Sequence, residues 1–397
     1  MEEIDIEIPS YFLCPISLSI LKDPVILSTG ITYDRENIEN WLFSSKNNTC
    51  PITKQILVDF ELTPNHTLRR LIQAWCTLNA SYGVERFPTP KPVVGKAEIM
   101  KIIRNGKIGK FQVMSLQKLK GIAMESDGNK KIIESTKGAI EFLVKVVSEN
   151  VLGEASDEAV SILYILQLSE GSLKALMGKD GEFVDSLVRL LSNETCQARA
   201  YTVLLLKSII GLVNPSQLMS LRGEICVELV RVLREETSQQ VCKAALQILI
   251  EICQWGRNKI KAVDASAVEV LIELLLEKLE KRETEMILVI LDQLCGCAEG
   301  RAALLKHSAG IAIVSKKILR VSKLASEMAV RIVYSVSKFY ATASVLQEML
   351  QVGVVSKLCL VLQVDCGVKT KEKAKEILKL HSSVWKNSPC LPAFSLA

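Results

Sequence analysis

A chain of 397 residues is longer than one hydrophobic core usually serves, so two folding units, or a short domain joined to an extended array, are expected. Hydrophobic residues make up 49% and aromatics only 5%, a Leu/Ile/Val/Ala balance that suits stacked helices and argues against a β-sandwich. The 49 basic residues are interspersed with 44 acidic ones, which excludes the basic stripe of a nucleic-acid-binding protein.

The first seven residues, Met1-Glu-Glu-Ile-Asp-Ile-Glu, are acidic where a secretory signal is basic and then apolar. No uninterrupted apolar run reaches the roughly 20 residues that span a bilayer, so a cytoplasmic protein without a membrane span is expected. The 12 cysteines fall largely in apolar helical stretches and read as small buried hydrophobes in a reducing compartment. Zinc is disfavoured: Cys295 and Cys297 are one residue too close for C-x2-C, no second pair accompanies them, and the chain has three histidines.

Turn chemistry is dense at the start: Cys14-Pro15, Asp23-Pro24, Ser28-Thr-Gly30, Asn47-Asn48, Cys50-Pro51 and Thr63-Pro64-Asn65. Val25-Ile-Leu27 and Ile31-Thr-Tyr33 flank Gly30 and predict a β-hairpin. Asp34 is the expected N-cap of a helix running to about Phe43, with Ile38, Trp41 and Leu42 on one face. A second helix is predicted after Pro64-Asn65, through Leu68, Leu71, Ile72 and Trp75. Phe87-Pro-Thr-Pro-Lys-Pro92 cannot continue a helix and marks a linker. The expected division is a small domain at 7–80, a linker at 81–95, a helical solenoid at 96–386 and a tail at 387–397.

Beyond the linker one phrase recurs: a small residue, an apolar pair, then a leucine-rich helix. It begins at Gly138, Gly181, Gly223, Ser266, Gly310 and Gly353, in steps of 43, 42, 43, 44 and 43 residues. That period belongs to armadillo or HEAT units, whose two or three helices need neighbours to bury their apolar faces. A longer helix is predicted after most copies, for example Asp157–Leu168, Gln239–Cys253, Thr284–Cys297 and Ser326–Phe339. Lys110–Met124 would open the array, and Lys371–Trp385 would close it.

Nucleotide-binding, hydrolase and zinc-peptidase motifs are absent: the chain has no G-x-S-x-G, G-x-x-x-x-G-K-[ST], H-E-x-x-H or G-x-G-x-x-G. Instead, Ile8-Pro-Ser-Tyr-Phe-Leu-Cys-Pro-Ile-Ser-Leu18, Lys22-Asp-Pro-Val25, Thr29-Gly-Ile-Thr-Tyr-Asp-Arg35, Ile38-Glu-Asn-Trp-Leu42, Thr49-Cys-Pro-Ile-Thr53 and Leu62-Thr-Pro-Asn-His-Thr-Leu-Arg69 follow one another in order. Together they resemble a U-box, a zinc-free relative of the RING domain. With Trp75–Arg86, Trp255–Lys259 and Lys369–Lys379 the likeness extends over nearly the whole chain, to the plant U-box armadillo ubiquitin ligases, in particular the subgroup implicated in restraining immune and stress signalling. Relatives often carry a polar insertion near the second complete repeat; Val151–Asp157 is short here.

The resemblance implies a mostly α protein, a small α+β U-box followed by an armadillo-type α-solenoid, and a ubiquitin ligase without cofactor or covalent intermediate. The U-box would recruit a ubiquitin-charged conjugating enzyme through Ile16 and Leu18 on a first loop, Trp41 on the helix, and Cys50 and Pro51 on a second loop. By composition alone Ile16, Leu18 and Trp41 read equally well as core residues. Lys54 occupies the place of a cation that touches both partners in related domains, although lysine makes a point contact where arginine would bridge bidentately.

On the third helices, W-x3-N ladders typical of nuclear-import carriers are replaced by Lys207, Glu251, Gln293 and Ser335, which suit a protein substrate or remain solvated surface. Self-ubiquitination and U-box homodimerisation are further implications. Thr63-Pro64 and Thr89-Pro90 offer a proline-directed kinase two sites, or are plain turn threonines. The competing reading is a non-catalytic armadillo adaptor that uses its U-box to dimerise.

Overall fold

The computed structural model describes residues 8–44, 47–57, 62–79, 94–149, 153–177, 182–192, 196–235 and 238–385. The expected linker's residues 81–93 and the tail 387–397 lie outside them. The chain divides into two compact units, residues 1–101 with 121–136, and 102–120 with 137–397.

In the first unit, strand β1 (Pro24–Ile26) pairs antiparallel with β2 (Thr32–Asp34) and with β3 (Thr63–Pro64), in the order β2-β1-β3. The hairpin forms where the β-branched residues predict it, and Gly30 turns it with φ +78°, a region closed to most side chains. Strands this short cannot hold a sheet alone. Val25, Tyr33 and Ile38 are fully buried and gather a core with Phe12, Leu27 and Ile72.

Helix α1 (Arg35–Glu39) passes into a wider π turn over Asn40–Ser44, so the single helix expected to Phe43 is shorter and irregular. Asp34 does not cap it: its Oδ1 accepts from the amides of Lys22 and Asp23 at 2.8 and 2.7 Å. A tertiary pair of donors wins over the local amides because it joins the hairpin to the preceding loop. Helix α2 (His66–Leu78) is capped as a local signal should be, with Asn65 Oδ1 accepting from Leu68 N at 3.1 Å.

Helices α3 (Lys96–Gly106), α4 (Gln112–Glu125) and α5 (Asp127–Ser135) lead into α6 (Ala139–Glu149) and α7 (Glu154–Ile165). Triplets then follow: α8 (Glu170–Met177), α9 (Glu182–Leu191) and α10 (Cys196–Ile210); α11 (Pro215–Ser220), α12 (Glu224–Arg234) and α13 (Gln239–Cys253). Next come α14 (Asn258–Asp264), α15 (Ala267–Leu276) and α16 (Lys281–Leu294), then α17 (Ala298–Lys306), α18 (Gly310–Lys317) and α19 (Lys323–Phe339). The array ends with α20 (Ala343–Gln351), α21 (Val354–Gln363), α22 (Val368–Leu380) and a last turn, α23 (Ser382–Trp385). Third helices α7, α10, α13, α16, α19 and α22 pack successively, and second helices do the same from α6 to α18.

Several third helices begin a turn earlier than expected, because their charged first turns are capped from outside the apolar pattern. Ser322 Oγ accepts from Ala325 N at 3.0 Å, and Glu280 with Glu283 forms a capping box at the start of α16. Among the described residues no single helix is long and apolar enough to cross a membrane.

At four of its six openings the small residue that begins the repeated phrase has one of two physical causes. Gly138, Ser266 and Gly353 stand at φ +84°, +62° and +74°, turning the chain sharply into the second helix. Gly310 is not turned this way, but a Cβ on it would overlap the Leu304 carbonyl, so the close approach of two helices demands glycine. Gly300 makes the same approach to the Leu294 carbonyl.

Neighbouring repeats are joined by bonds between residues about one period apart. Asn258 Nδ2 donates to Leu218 O at 2.7 Å, Lys357 Nζ to Ser315 O at 2.6 Å, and Arg331 pairs with Asp292 at 2.7 Å. The first two satisfy carbonyls that helix ends leave open, and the third ties two third helices side by side.

Gly300→Ala should therefore destabilise the array by about 1–3 kcal/mol, read as a lower melting midpoint and faster amide exchange in α16 to α18. Gly121→Ala, exposed within α4 with open space around its Cα, should raise stability by up to about 1 kcal/mol. Equal effects of the two substitutions would contradict this packing.

Candidate functional site

The two loops of the small domain are copies of one another in sequence and in geometry. Cys14-Pro-Ile-Ser-Leu18-Ser19 and Cys50-Pro-Ile-Thr-Lys54-Gln55 lie 36 residues apart. In each, the fifth residue's amide returns to the cysteine carbonyl, at 2.8 Å for Leu18 and 3.0 Å for Lys54. The cysteine amide in turn donates to Ser19 O or Gln55 O, at 2.8 and 2.9 Å. A single bridge closes each base, Leu13 with Ile20 and Thr49 with Ile56. Leu18 and Lys54 sit at φ +55° and +59°, a costly region for such side chains, tolerated because two bonds over-determine each turn.

Both thiols face inward and act as hydrogen-bond acceptors where a zinc-bound relative would use metal. Cys14 Sγ accepts from Asp34 N at 3.3 Å and Asn37 Nδ2 at 3.6 Å. Cys50 Sγ meets Tyr33 Oη at 3.0 Å and accepts from Thr29 Oγ1 at 3.5 Å. Burial pushes the Cys50 thiol up, but hydrogen bonds from Thr29, Thr53 and Tyr33 outweigh it and hold the group down at about 6. Tyr33 moves the other way, raised by burial and by its bond to Cys50. Burial raises the Asp34 carboxyl against the pull of its two backbone donors, and Arg35 Nε pairs with Asp23 at 2.6 Å. Among the described residues no group of three or more His, Cys, Asp or Glu converges to hold an ion.

The helix ties to both loops. Asn37 Nδ2 reaches Ser17 Oγ at 3.0 Å on the first, and Trp41 Nε1 donates to Thr49 O at 2.8 Å beside the second. Lys54 Nζ lies 5.5 Å from the centroid of the Trp41 ring.

The loops present Ile16, 36% exposed, and Leu18, 75% exposed, with Trp41 and Pro51 half-buried. Cys50 differs from the other expected contacts: it is fully buried, so it shapes the second loop and offers no side-chain surface. Ile52, 52% exposed, is the counterpart of Ile16 and was missed by the sequence reading, although C-P-I-S and C-P-I-T announce it.

On the third-helix face, Lys207 and Glu251 line a cavity of about 500 Å³ with Ile210, Gln247, Met286 and Leu324. Gln293 and Ser335 are turned to internal work. Gln293 Nε2 donates to Ile250 O at 3.3 Å and Ser335 Oγ to Cys295 O at 2.7 Å, each tying a third helix to the previous one. Thr63 is exposed in β3, where it pairs with Ile26, rather than in a free turn; Thr89 lies outside the described residues.

Residues 8–81 match the family model of the U-box domain, and residues 98–397 match the plant U-box protein ARM repeat region. The chain is 55% identical to the E3 ubiquitin-protein ligase PUB23 of Arabidopsis thaliana over 98% of its own length and 96% of that protein's. It is 50% identical to the E3 ubiquitin-protein ligase PUB22 of the same plant, over 98% and 97%. Among solved structures, one from a study of a phosphorylation switch between cadherin and beta-catenin superposes with a TM-score of 0.58 at 12% identity, covering 80% of this chain and 59% of that one, a likeness of fold.

The Cys50 acceptor gives a pH signature. Its folded value of about 6 lies below the ordinary 9.0, so its contribution to stability is present above pH 9 and lost as pH falls through about 6. The melting midpoint of the small domain should fall over that interval, and Cys50→Ser should flatten the dependence. An unchanged slope in Cys50→Ser would remove the thiolate from the account.

Proposed function

We propose, from the premise that this chain belongs to the plant U-box armadillo-repeat ubiquitin ligases, that its two matching loops and α1 form the docking surface for a ubiquitin-charged conjugating enzyme. The chain is a RING-type E3 ubiquitin transferase that works as a scaffold. The observation that carries the surface assignment is the exposure of Ile16 and Leu18 on a turn held rigid by two backbone bonds and by Asn37. Exposed apolar side chains on a pre-formed turn lose little freedom on binding. Trp41, Pro51 and Lys54 complete the surface, and Ile52 extends it.

The conjugating enzyme already carries ubiquitin as a thioester, so the ligase accelerates aminolysis by holding that thioester in a reactive geometry beside an acceptor lysine. Cys50, whose lowered pKa would suit a nucleophile, is enclosed by Tyr33 and Thr29 and does not take ubiquitin. Its role is to position the second loop.

The protein to be modified is assigned to the third-helix face, at the cavity bordered by Lys207 and Glu251, where opposite charges flank apolar walls. Gln293 and Ser335 support that face from within. Acceptors include the chain's own lysines, and the protein acts in the cytoplasm as a regulator of plant defence or stress signalling. A homodimer through the U-box is modulated at Thr63. A phosphate of about −1.5 to −2 charge there stands ahead of the α2 N-terminus and of Arg69 and Arg70, and would weaken pairing of like surfaces by repulsion.

Reconstitution with ubiquitin, activating enzyme, a panel of conjugating enzymes and ATP should give ubiquitin chains; none with any panel member would overturn the proposal. Trp41 also anchors the second loop, so Ile16→Ala is the cleaner test. It should slow chain formation roughly tenfold or more while the target stays bound to the array. Thr63→Glu should shift light-scattering mass from dimer to monomer and change self-ubiquitination; identical mass and rate would end that part of the reading.

A further inference from the structure

Where the helical array begins, its surface chemistry differs from where it ends. The last third helix, α22, shows solvent a mixed face of Lys369, Glu372, Lys375, Glu376 and Lys379, the polar cover that a terminal repeat needs. The opening segment, residues 102–120, instead contains Arg104, Lys107, Lys110, Lys118 and Lys120 and no acidic residue, in a chain where acids are nearly as common as bases. Lys120 is paired with Glu158 at 2.9 Å. Among the described residues Arg104, Lys107 and Lys110 are exposed and make no ion pair.

Within this cationic frame stand three exposed apolar side chains: Ile108 at 55%, Phe111 at 40% and Met114 at 61%. They recur every third residue, from the extended Ile108 across the short 3₁₀ turn Gly109–Phe111 into the first turn of α4, where helical spacing keeps Phe111 and Met114 on one side, with Lys107 and Lys110 next to Ile108 and Phe111 in the chain. Among the described residues they line none of the larger cavities along the array, which lie at residues 148–225, 204–324 and 372–380. Apolar tips on a turn, ringed by cations, fit a soft anionic interface better than they fit a peptide, which needs a groove to shed its water.

We propose that the segment Arg104–Lys118 is a peripheral membrane-docking site, in which Ile108, Phe111 and Met114 enter the headgroup boundary of a bilayer and Arg104, Lys107 and Lys110 meet anionic phospholipid headgroups. The site shares no residue with the conjugating-enzyme surface and does not rest on that assignment. It would concentrate the ligase on a two-dimensional surface without any membrane-spanning helix.

The test is co-sedimentation of the full chain with vesicles of phosphatidylcholine alone and of equimolar phosphatidylcholine and phosphatidylserine. Binding is expected only to the second, weakening as salt rises. Lys107→Ala with Lys110→Ala should weaken it about 25-fold, at roughly fivefold per cation. Ile108→Ser with Met114→Ser should weaken it roughly tenfold, with helix content and melting midpoint unchanged as the check on folding.

No binding to the anionic vesicles would overturn the proposal. So would loss of binding in the lysine pair but not in the apolar pair, which would mark a plain charged face for an acidic protein segment. Competition by soluble glycerophosphoserine would equally overturn it, in favour of a discrete anion pocket.

Discussion

The small domain depends on three buried acceptors doing the work of metal ions. Cys14, Cys50 and the Asp34 carboxylate each collect donors from segments distant in the chain: Asp34 N and Asn37 for Cys14, Tyr33 and Thr29 for Cys50, Lys22 N and Asp23 N for Asp34. Its strands are two or three residues long and α1 is five, so regular backbone bonding alone could not hold the loops. Bonds accepted by the two sulfurs draw the loops inward, and backbone bonds to the cysteine carbonyls and amides fix the two turns, whose fifth residues occupy the left-handed region. The exposure of Ile16 and Leu18 follows from that arrangement: the loops are drawn in by their cysteines, so their apolar tips point out.

The array solves a different problem. Each triplet has more apolar surface than it can bury alone, so α16 encloses Ile287, Leu288, Ile290, Leu291 and Leu294 between its neighbours. Side chains one period away then satisfy carbonyls at the helix ends. The same device turns Gln293 and Ser335 into ties between third helices and leaves Lys207 and Glu251 on the open face. A recognition surface on such a scaffold can vary at its exposed positions without disturbing the ladder beneath.

Function follows from the separation of these two kinds of cohesion. A ligase of this type needs one rigid surface for a charged conjugating enzyme and a second for the protein to be modified, and orientation between them supplies the rate. In the proposed function, hydrogen-bonded loops supply the first and stacked helices the second. The opening segment of the array adds a third kind of surface, apolar tips in a basic frame, which neither cohesion requires.

The sequence by itself determined the order of modules, the period near 43 residues, the hairpin around Gly30 and the helix start after Pro64-Asn65, because each is written in residues close together in the chain. Periodicity and capping are local, and local signals survive reading one residue after another. Only the tertiary structure decided what Asp34, Cys50, Gln293 and Ser335 do. Asp34 suits a helix cap and Cys50 a contact, yet their partners lie 11 to 21 residues away, and those of Gln293 and Ser335 about a whole repeat away. A polar side chain takes the donor or acceptor that folding brings to it, and that choice depends on which distant backbone groups would otherwise be buried unsatisfied.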